Sequence, residues 1–218
     1  MTYKEIKNNS EINAYIAKGN EVLGVMGFTE HSFIHASKAA VTAGRILKQL
    51  GYEDHQIELA KIAGYMHDMG NCINRMNHAH TGALMAFQLL KELGMESEDI
   101  ATVITAIGQH DEGSGMPVDP VSAALILADK TDVRRDRVRN TVISTFDKHD
   151  RVNYAAVSSK LEIDAPNKVI SLEIKLDEEI CSIMDYFEIF LQRMLMCRRA
   201  CEILGMEFAL TANGLKVG

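Results

Sequence analysis

One segment of the chain combines an apolar helical pattern with two metal-type ligands. From Leu59 to Asn71 the sequence reads LAKIAGYMHDMGN, in which apolar residues recur at helical spacing until Gly70 ends the helix. His67 and Asp68 come at the carboxyl end of this helix. A neutral imidazole and a carboxylate both bind divalent metals, and a carboxylate can bridge two of them. The segment therefore predicts a buried helix that presents two ligands at its end.

The His-Asp dipeptide alone is weak evidence, because the chain contains it three times. It recurs at His110-Asp111 and at His149-Asp150. Its meaning depends on the partners that the rest of the fold supplies.

Helical periodicity extends over most of the first 150 residues. Glycines follow several of the periodic segments, as is common just beyond a helix end. The predicted helices are Ser10 to Met26, Glu30 to Leu50, Asp54 to Gly70, Asn77 to Leu93, Ser97 to His110 and Pro120 to Val138. We therefore predict a mainly α protein built on a helical bundle.

Around residue 150 the pattern changes from helical spacing to strict alternation. Two strands joined by a turn at Pro166, a long helix and a possible third strand are predicted from this pattern. Their ranges are Tyr154 to Ile163, Val169 to Leu176, Asp177 to Leu204 and Glu207 to Thr211. The predicted organisation is a helical metal-binding domain of residues 1–150 followed by a small α+β extension of residues 151–218.

Composition excludes several classes of function. The 218 residues carry a formal net charge of −7, which argues against a general nucleic-acid binder because phosphate backbones need a basic surface. The polar N-terminus and the lack of any apolar run of about 18 residues indicate no membrane span, and we expect a cytoplasmic protein. Four cysteines without a CxxC spacing indicate reduced thiols rather than a disulfide framework.

Six candidate ligands fall near the starts or ends of five successive predicted helices. They are four imidazoles and two carboxylates, a mixed nitrogen and oxygen set that suits Mn, Fe, Co, Ni or Zn. The six residues are His31, His67, Asp68, His78, His110 and Asp129.

The order of these ligands resembles that of the HD superfamily of metal-dependent phosphohydrolases, which are all-helical proteins named for their His-Asp pair. The similarity covers roughly residues 25–135 and does not include the tail. It is carried by five short patterns, which are EHS at Glu30 to Ser32, AGYMHDMGN, HAHTGA at His78 to Ala83, IGQHDEGSG from Ile107, and ILADK ending at Lys130.

The resemblance implies roles for the six candidates. His31, His67, Asp68 and Asp129 would hold one divalent metal. Asp68 would bridge to a second metal held by His78 and His110, as in the two-metal branch of the superfamily. A metal-bound hydroxide would then attack the phosphorus of a small phosphate ester or nucleotide. Asp68 is the central catalytic candidate in this interpretation.

Several assignments have competitors. The EHS context favours His31 over His35, which would then be a hydrogen-bonded neighbour, and the spacing to Gly82 favours His78 over His80. Asp111 is a candidate general acid beside His110, as is Glu112.

The substrate contacts are open as well. Lys130, Arg134 and Arg135 are candidates for binding phosphate, although Asp132 and Asp136 could neutralise them at helical spacing. Asn71 stands where many members of the superfamily have a lysine, so the phosphate contact of that lysine is absent or supplied by another residue.

Two functions follow from this interpretation. The leading one is hydrolysis of a small phosphorylated substrate with two divalent metals per chain. The alternative is a non-catalytic, metal-dependent nucleotide sensor whose C-terminal extension transmits a signal or dimerises. A homodimer is also expected, because the predicted hairpin leaves sheet edges that need covering.

Overall fold

Nine α-helices and a four-stranded sheet make up residues 1–217, which the computed structural model describes. The helices are α1 (Tyr3–Lys7), α2 (Ser10–Val25), α3 (Phe33–Gln49), α4 (Asp54–Met66), α5 (His78–Glu92), α6 (Ser97–Gly108), α7 (Pro120–Lys130), α8 (Lys148–Ala155) and α9 (Ile183–Ile203). The strands are β1 (Ala156–Asp164), β2 (Val169–Leu176), β3 (Glu207–Ala212) and β4 (Leu215–Lys216). Short 3-10 turns occur at Met69–Cys72, Arg135–Arg137 and Ile143–Thr145.

Helices α4 and α7 form the centre of the bundle. Helix α4 packs against α3, α6 and α7, and its small residues let α3 approach closely. A Cβ atom added at Gly64 would lie 2.7 Å from the Cα of Ala40, so only glycine fits at this crossing. Helix α7 is buried on nearly every side from Val121 to Ala128, as expected of a helix that is apolar all round. The carboxyl ends of these two helices therefore lie deep inside the protein.

The tail forms one mixed sheet with the strand order β1-β2-β3-β4. Strands β1 and β2 are an antiparallel hairpin, with Leu161 opposite Leu172. Strand β3 runs parallel to β2, and α9 makes the crossover that a parallel pair requires. Helix α9 packs against both α7 and β3, so it connects the sheet to the bundle.

The predicted fold class is confirmed. A helical bundle is followed by a hairpin, a long helix and a third strand, and the helix and strand bounds mostly agree within a few residues.

Besides α8 (Lys148–Ala155), a helix that was not predicted from the sequence, four local features differ from the prediction. The sequence analysis missed the first helix, which the capping box of Thr2 and Glu5 starts. It also missed β4, which is two residues long. Helix α9 begins at Ile183 rather than at Asp177, because Ser182 and Asp185 form a capping box there.

The fourth difference concerns the sixth predicted helix, which was expected to continue to Val138. Helix α7 instead ends at Lys130. The chain leaves helical geometry there, and Asp132 bonds to His35 and Lys38 of α3. The buried contacts of Asp132 therefore replace the last two predicted turns of helix.

No helix within residues 1–217 combines the length and the apolar character needed to cross a membrane.

Candidate metal centre

Histidine and aspartate side chains at the ends of four helices meet beside one cavity of about 310 Å³. His67 and Asp68 follow α4 directly, His78 is the first residue of α5, His110 lies just beyond α6, and Asp129 is in the last turn of α7. Helix ends place these residues at the same depth because the helices pack side by side. The bundle thus brings together candidate ligands as far apart in the sequence as His67 and Asp129, which are 62 positions apart.

The first group of ligand atoms surrounds Asp129 and one oxygen of Asp68. His35, His67 and Asp129 each offer an atom within 4.8 Å of the others. Nε2 of His35 is 3.3 Å from Oδ1 of Asp129 and 3.5 Å from Oδ2 of Asp68. Nε2 of His67 is 3.1 Å from Oδ2 of Asp68 and 3.7 Å from Oδ1 of Asp129. Two imidazoles and two carboxylates therefore converge on one point.

The second group faces the other oxygen of Asp68. Nε2 of His78 is 3.6 Å from Oδ1 of Asp68, and Nε2 of His110 is 3.9 Å from the same atom. The two oxygens of Asp68 thus face different pairs of histidines. This is the arrangement that a bridging carboxylate needs.

The second ring nitrogen of each histidine fixes its orientation. Nδ1 of His67, His78 and His110 lies 2.6–3.1 Å from the carbonyl oxygens of Gly64, Arg75 and Ile107. A carbonyl oxygen only accepts hydrogen bonds, so each Nδ1 carries the proton and donates it. Each Nε2 is left with a lone pair directed into the cavity, as in metal-binding histidines.

His35 is oriented in the same way by a carboxylate. Its Nδ1 lies 2.9 Å from Oδ2 of Asp132. The other carboxylate oxygen of Asp132, Oδ1, pairs with Lys38 and Arg134. Nε2 of His35 and Nε2 of His67 are buried, and neither has a hydrogen-bond partner. Buried polar atoms without partners are rare, and a cation would satisfy both of these.

The contact between His78 and His110 fits a cation as well. Their Nε2 atoms are 3.1 Å apart, although both carry lone pairs. When two nitrogens bind the same ion at about 2.0–2.1 Å, they lie about 2.9–3.4 Å apart if the N–metal–N angle is between the octahedral and the tetrahedral value. The observed separation is in that range.

Electrostatics of the cluster favour a positive charge at its centre. Burial alone would raise the pKa of Asp68 and Asp129, but neighbouring imidazoles, and Lys130 beside Asp129, hold both values well below the usual range. Burial opposes a charge on His67, yet the same two carboxylates raise the pKa of His67 to about 10. In the absence of any other cation, the cluster thus attracts a proton. A divalent metal would supply the same compensation.

His35, rather than His31, lies beside the two carboxylates, which is the reverse of the expectation from the sequence. The sequence analysis favoured His31 as the ligand and His35 as its neighbour. Among residues 1–217, no carboxylate oxygen forms an ion pair with His31, whose Nδ1 binds the Thr29 carbonyl oxygen at 2.7 Å. His35 instead contacts both carboxylates, because it lies one turn further into α3. His31 lines the cavity beside the cluster.

The choice between His78 and His80 has a clear geometric outcome. His78 is buried and its Nε2 faces Asp68, whereas His80 is exposed on the outside of α5. The structure therefore brings His78 and not His80 to the cluster.

The structure does not bring Asp111 or the two predicted arginines to the cavity lining. Asp111 accepts hydrogen bonds from the backbone of Gly113 and from Ser114 in its own loop. Arg134 pairs with Asp132 and Asp136, and Arg135 donates to the Tyr154 carbonyl oxygen and pairs with Asp177. These bonds hold the three side chains away from the residues that line the cavity. Lys130 does line the cavity.

Other charged residues line the cavity in their place. Arg75, Arg137 and Arg193 contribute guanidinium groups, and the third His-Asp pair, His149 and Asp150, also lies on the wall. Arg137 lies two residues after Arg135, one of the predicted phosphate contacts. Arg75 and Arg193 carried no comparable signal, because they are single arginines outside any charge pattern.

Glu112 connects the bundle, the cavity and the tail. Its carboxylate lies 2.7 Å from Nζ of Lys130 and 2.7 Å from Nε of Arg193 on α9. Burial would raise its pKa, but the two cations hold that pKa far below the usual range. Glu112 is therefore a charged link between Lys130 and the tail rather than a proton donor.

Parts of this chain are similar to known proteins. A search of curated proteins finds no match. One similar solved structure is a predicted HD superfamily hydrolase from an uncultured Thermotogales bacterium, with 23% identity, a TM-score of 0.46, and coverage of 57% of this chain and 67% of the other. The model of the HD domain family matches residues 32–188, which is well over half of the sequence. The chain therefore belongs to the HD domain family.

Proposed function

We propose that this protein is a metal-dependent phosphohydrolase with a dinuclear centre that acts on a small phosphate ester or nucleotide. The observation that carries the proposal is the position of Asp68. One of its oxygens faces His35 and His67, and the other faces His78 and His110. In such a site each oxygen of this carboxylate would bind a different cation.

The donor set fits two divalent transition metals. The first would be held by His35, His67, Asp68 and Asp129, and the second by Asp68, His78 and His110. Nitrogen and oxygen ligands in this mixture suit Mn, Fe, Co, Ni or Zn. When bound, a pair of such ions lowers the pKa of a coordinated water to about 7 and polarises a phosphoryl oxygen.

The protein's own residues orient the ligands and attract the substrate. Asp132 and the backbone carbonyls fix the imidazole rings, so the lone pairs are aimed before any ion arrives. Four basic and five acidic side chains line the cavity, so the positive charge that an anionic phosphate ester needs would come from the bound metals together with Arg75, which makes no ion pair with a carboxylate of residues 1–217. A volume of about 310 Å³ is at the small end for binding pockets, which favours a compact substrate over a dinucleotide.

The test is phosphate release from a panel of nucleotides and small phosphate esters, after metal removal and after restoring Mn, Fe, Co, Ni or Zn. We expect turnover that returns with metal in the wild type and is lost in Asp68→Ala, together with the metal. Full activity of Asp68→Ala, or wild-type turnover that resists chelation, would overturn the proposal.

A second candidate is a sensor that binds a nucleotide without cleaving it. The contact between Glu112 and Arg193 favours it, because α9 thereby connects the cavity wall directly to the sheet. Two bound metals and tight nucleotide binding without any turnover would support this function and exclude the hydrolase.

A further inference from the structure

The four fixed cations on the cavity wall differ in how fully they are paired. Nζ of Lys130 lies 2.7 Å from Glu112 and 2.8 Å from Asp129. Arg193 is paired with Glu112 at 2.7 Å. Arg137 lies 3.7 Å from Asp132 and also donates to two backbone carbonyls. These three cations are thus neutralised by acidic groups of the protein itself.

Arg75 is the exception on this wall. It is half-buried, and its guanidinium group lies 5.6 Å from the centre of the Phe28 ring. Its Nη1 lies 3.3 Å from Oδ1 of Asn71 and 3.3 Å from Nε2 of His78. Within residues 1–217 it makes no ion pair with a carboxylate. It therefore lines the cavity without a direct carboxylate partner among these residues.

The side chain of Asn71 determines where this guanidinium group lies. Asn71 is buried, and its Nδ2 donates to Oδ1 of Asp68 at 2.8 Å and to the Asp68 carbonyl oxygen at 2.9 Å. Both partners are acceptors, so the amide has only one consistent orientation, with Oδ1 directed at Arg75. A single residue thus couples the position of Arg75 to that of the carboxylate shared by both ligand groups.

The contact with His78 shows that the guanidinium lies at the cluster. Arginine only donates, so Nε2 of His78 accepts from Nη1, which agrees with the lone pair assigned to that nitrogen. A metal bound to Nε2 would take this lone pair and release the donor. Arg75 would then have an unused N–H group next to the second ligand group.

We infer that Arg75 is the residue that binds the phosphoryl group of the substrate, which places a phosphate subsite beside His78. A guanidinium group offers a planar pair of donors that matches two oxygens of a phosphate. The stacking on Phe28 and the bond from Asn71 hold it in place, so little conformational freedom is lost on binding. The inference rests on the proposed function, since it assigns a contact of the same site.

The test compares Arg75→Gln and Arg75→Lys with Arg199→Gln, which removes the same charge from an exposed position on α9. Inorganic phosphate is titrated into each metal-restored protein by calorimetry, metal content is measured on the same samples, and KM is measured on the best substrate. Loss of a charge-assisted bond predicts phosphate binding about 10- to 100-fold weaker in Arg75→Gln, with KM raised to match. Arg75→Lys should lie between this variant and the wild type, and Arg199→Gln should equal the wild type.

The outcomes separate this inference from the proposed function. Wild-type phosphate affinity in Arg75→Gln, or loss of metal from it, would overturn the role of Arg75 even if the enzyme is a phosphohydrolase. Phosphate binding that depends on Arg75 in a protein without turnover would support the subsite and overturn the hydrolase. If Arg75→Gln does not fold, Arg75→Lys provides the test. Phosphate affinity and KM equal to those of the wild type in Arg75→Lys would contradict a bidentate contact.

Discussion

The metal centre depends, at the scale of single residues, on which nitrogen of each imidazole stays free. In four histidines Nδ1 is bonded to a protein acceptor and Nε2 faces the cavity. These bonds are made within the folded protein and need no metal. The site is therefore preorganised, and the contribution of each histidine can be tested singly.

The first prediction separates His35 from His31. His35→Ala should lose the first metal, because its Nε2 contacts both Asp68 and Asp129. His31→Ala should keep both metals, because its ring contacts neither carboxylate. Elemental analysis of both variants, with circular dichroism to verify folding, measures the difference. Loss of metal from His31→Ala alone would restore the assignment made from the sequence.

The second prediction concerns Asp132, which orients the ring of His35. In Asp132→Asn the amide can still accept a hydrogen bond, but it no longer carries a charge to support the imidazole. We expect metal affinity at the first position to fall about 10- to 100-fold. A chelator competition assay measures this fall, with Asp136→Asn as the control because Asp136 is exposed and contacts only Arg134. Equal metal affinity in Asp132→Asn and Asp136→Asn would show that Asp132 does not support metal binding through His35.

The structure brings five of the six predicted residues into one cluster but places His35 where His31 was expected, for a physical reason. His67, Asp68, His78, His110 and Asp129 lie at predicted helix ends, which a bundle brings together. His31 and His35 are four residues apart and share one helix face, so periodicity does not separate them. The bond that distinguishes His35 joins it to Asp132, 97 positions away, and local patterns carry no record of it.

At the scale of elements, the site depends on how closely α5 approaches the turn after α4. A Cβ atom added at Gly70 would overlap the carbonyl oxygen of His78 and lie 2.6 Å from the backbone nitrogen of Gly82. The absence of a side chain at Gly70 therefore sets the distance between the Asp68 turn and the start of α5. This distance places His78 opposite Asp68.

The third prediction follows from this contact. Gly70→Ala should lower the free energy of unfolding by about 1–3 kcal/mol and weaken the second metal position, because α5 has to move. Gly108→Ala is the matched control, since a Cβ atom there would lie 3.7 Å from Ala83 and alanine favours a helix by up to about 1 kcal/mol. Chemical denaturation and metal content measure both effects. Equal stability of the two variants would contradict the proposed role of this close approach.

The elements themselves were largely predictable, and their ends were less so. Periodicity indicates α4 and the strand β2 clearly. The apolar residues of α4 recur at helical spacing, and buried and exposed residues alternate along β2. The end of α7 at Lys130 was not predictable, since the residues that follow have helical spacing of charges. Burial of Asp132 against α3 decides that end, and burial is a property of the tertiary structure.

At the scale of the whole molecule, α9 has two different faces. One face carries Arg193 to the cavity wall and packs against α7. The other face, with the adjacent sheet, leaves an apolar groove of about 740 Å³ that includes Met184, Phe187 and Leu191. Met184 is 78% exposed and Leu191 is 49% exposed, which is unusual for an apolar stripe.

The fourth prediction is that a second copy of the chain covers this groove. Glu178 precedes α9 and Arg198 lies in the last third of that helix, and both line the groove, so an antiparallel copy would bring these opposite charges towards each other. We expect a dimer in light scattering and a monomer for Leu191→Glu. Leu84→Glu, at a position on α5 that is even more exposed (71% against 49% for Leu191), should remain dimeric. A monomeric wild type at micromolar concentration would contradict this arrangement.

The most direct test of the dinuclear centre is a titration of metal-free protein with Mn, in which the initial rate of phosphate release is followed against metal bound per chain. The account predicts a rate that reaches its plateau at two ions per wild-type chain and stays at background in Asp68→Ala. A plateau at one ion per chain, or a rate that does not depend on bound metal, would contradict it.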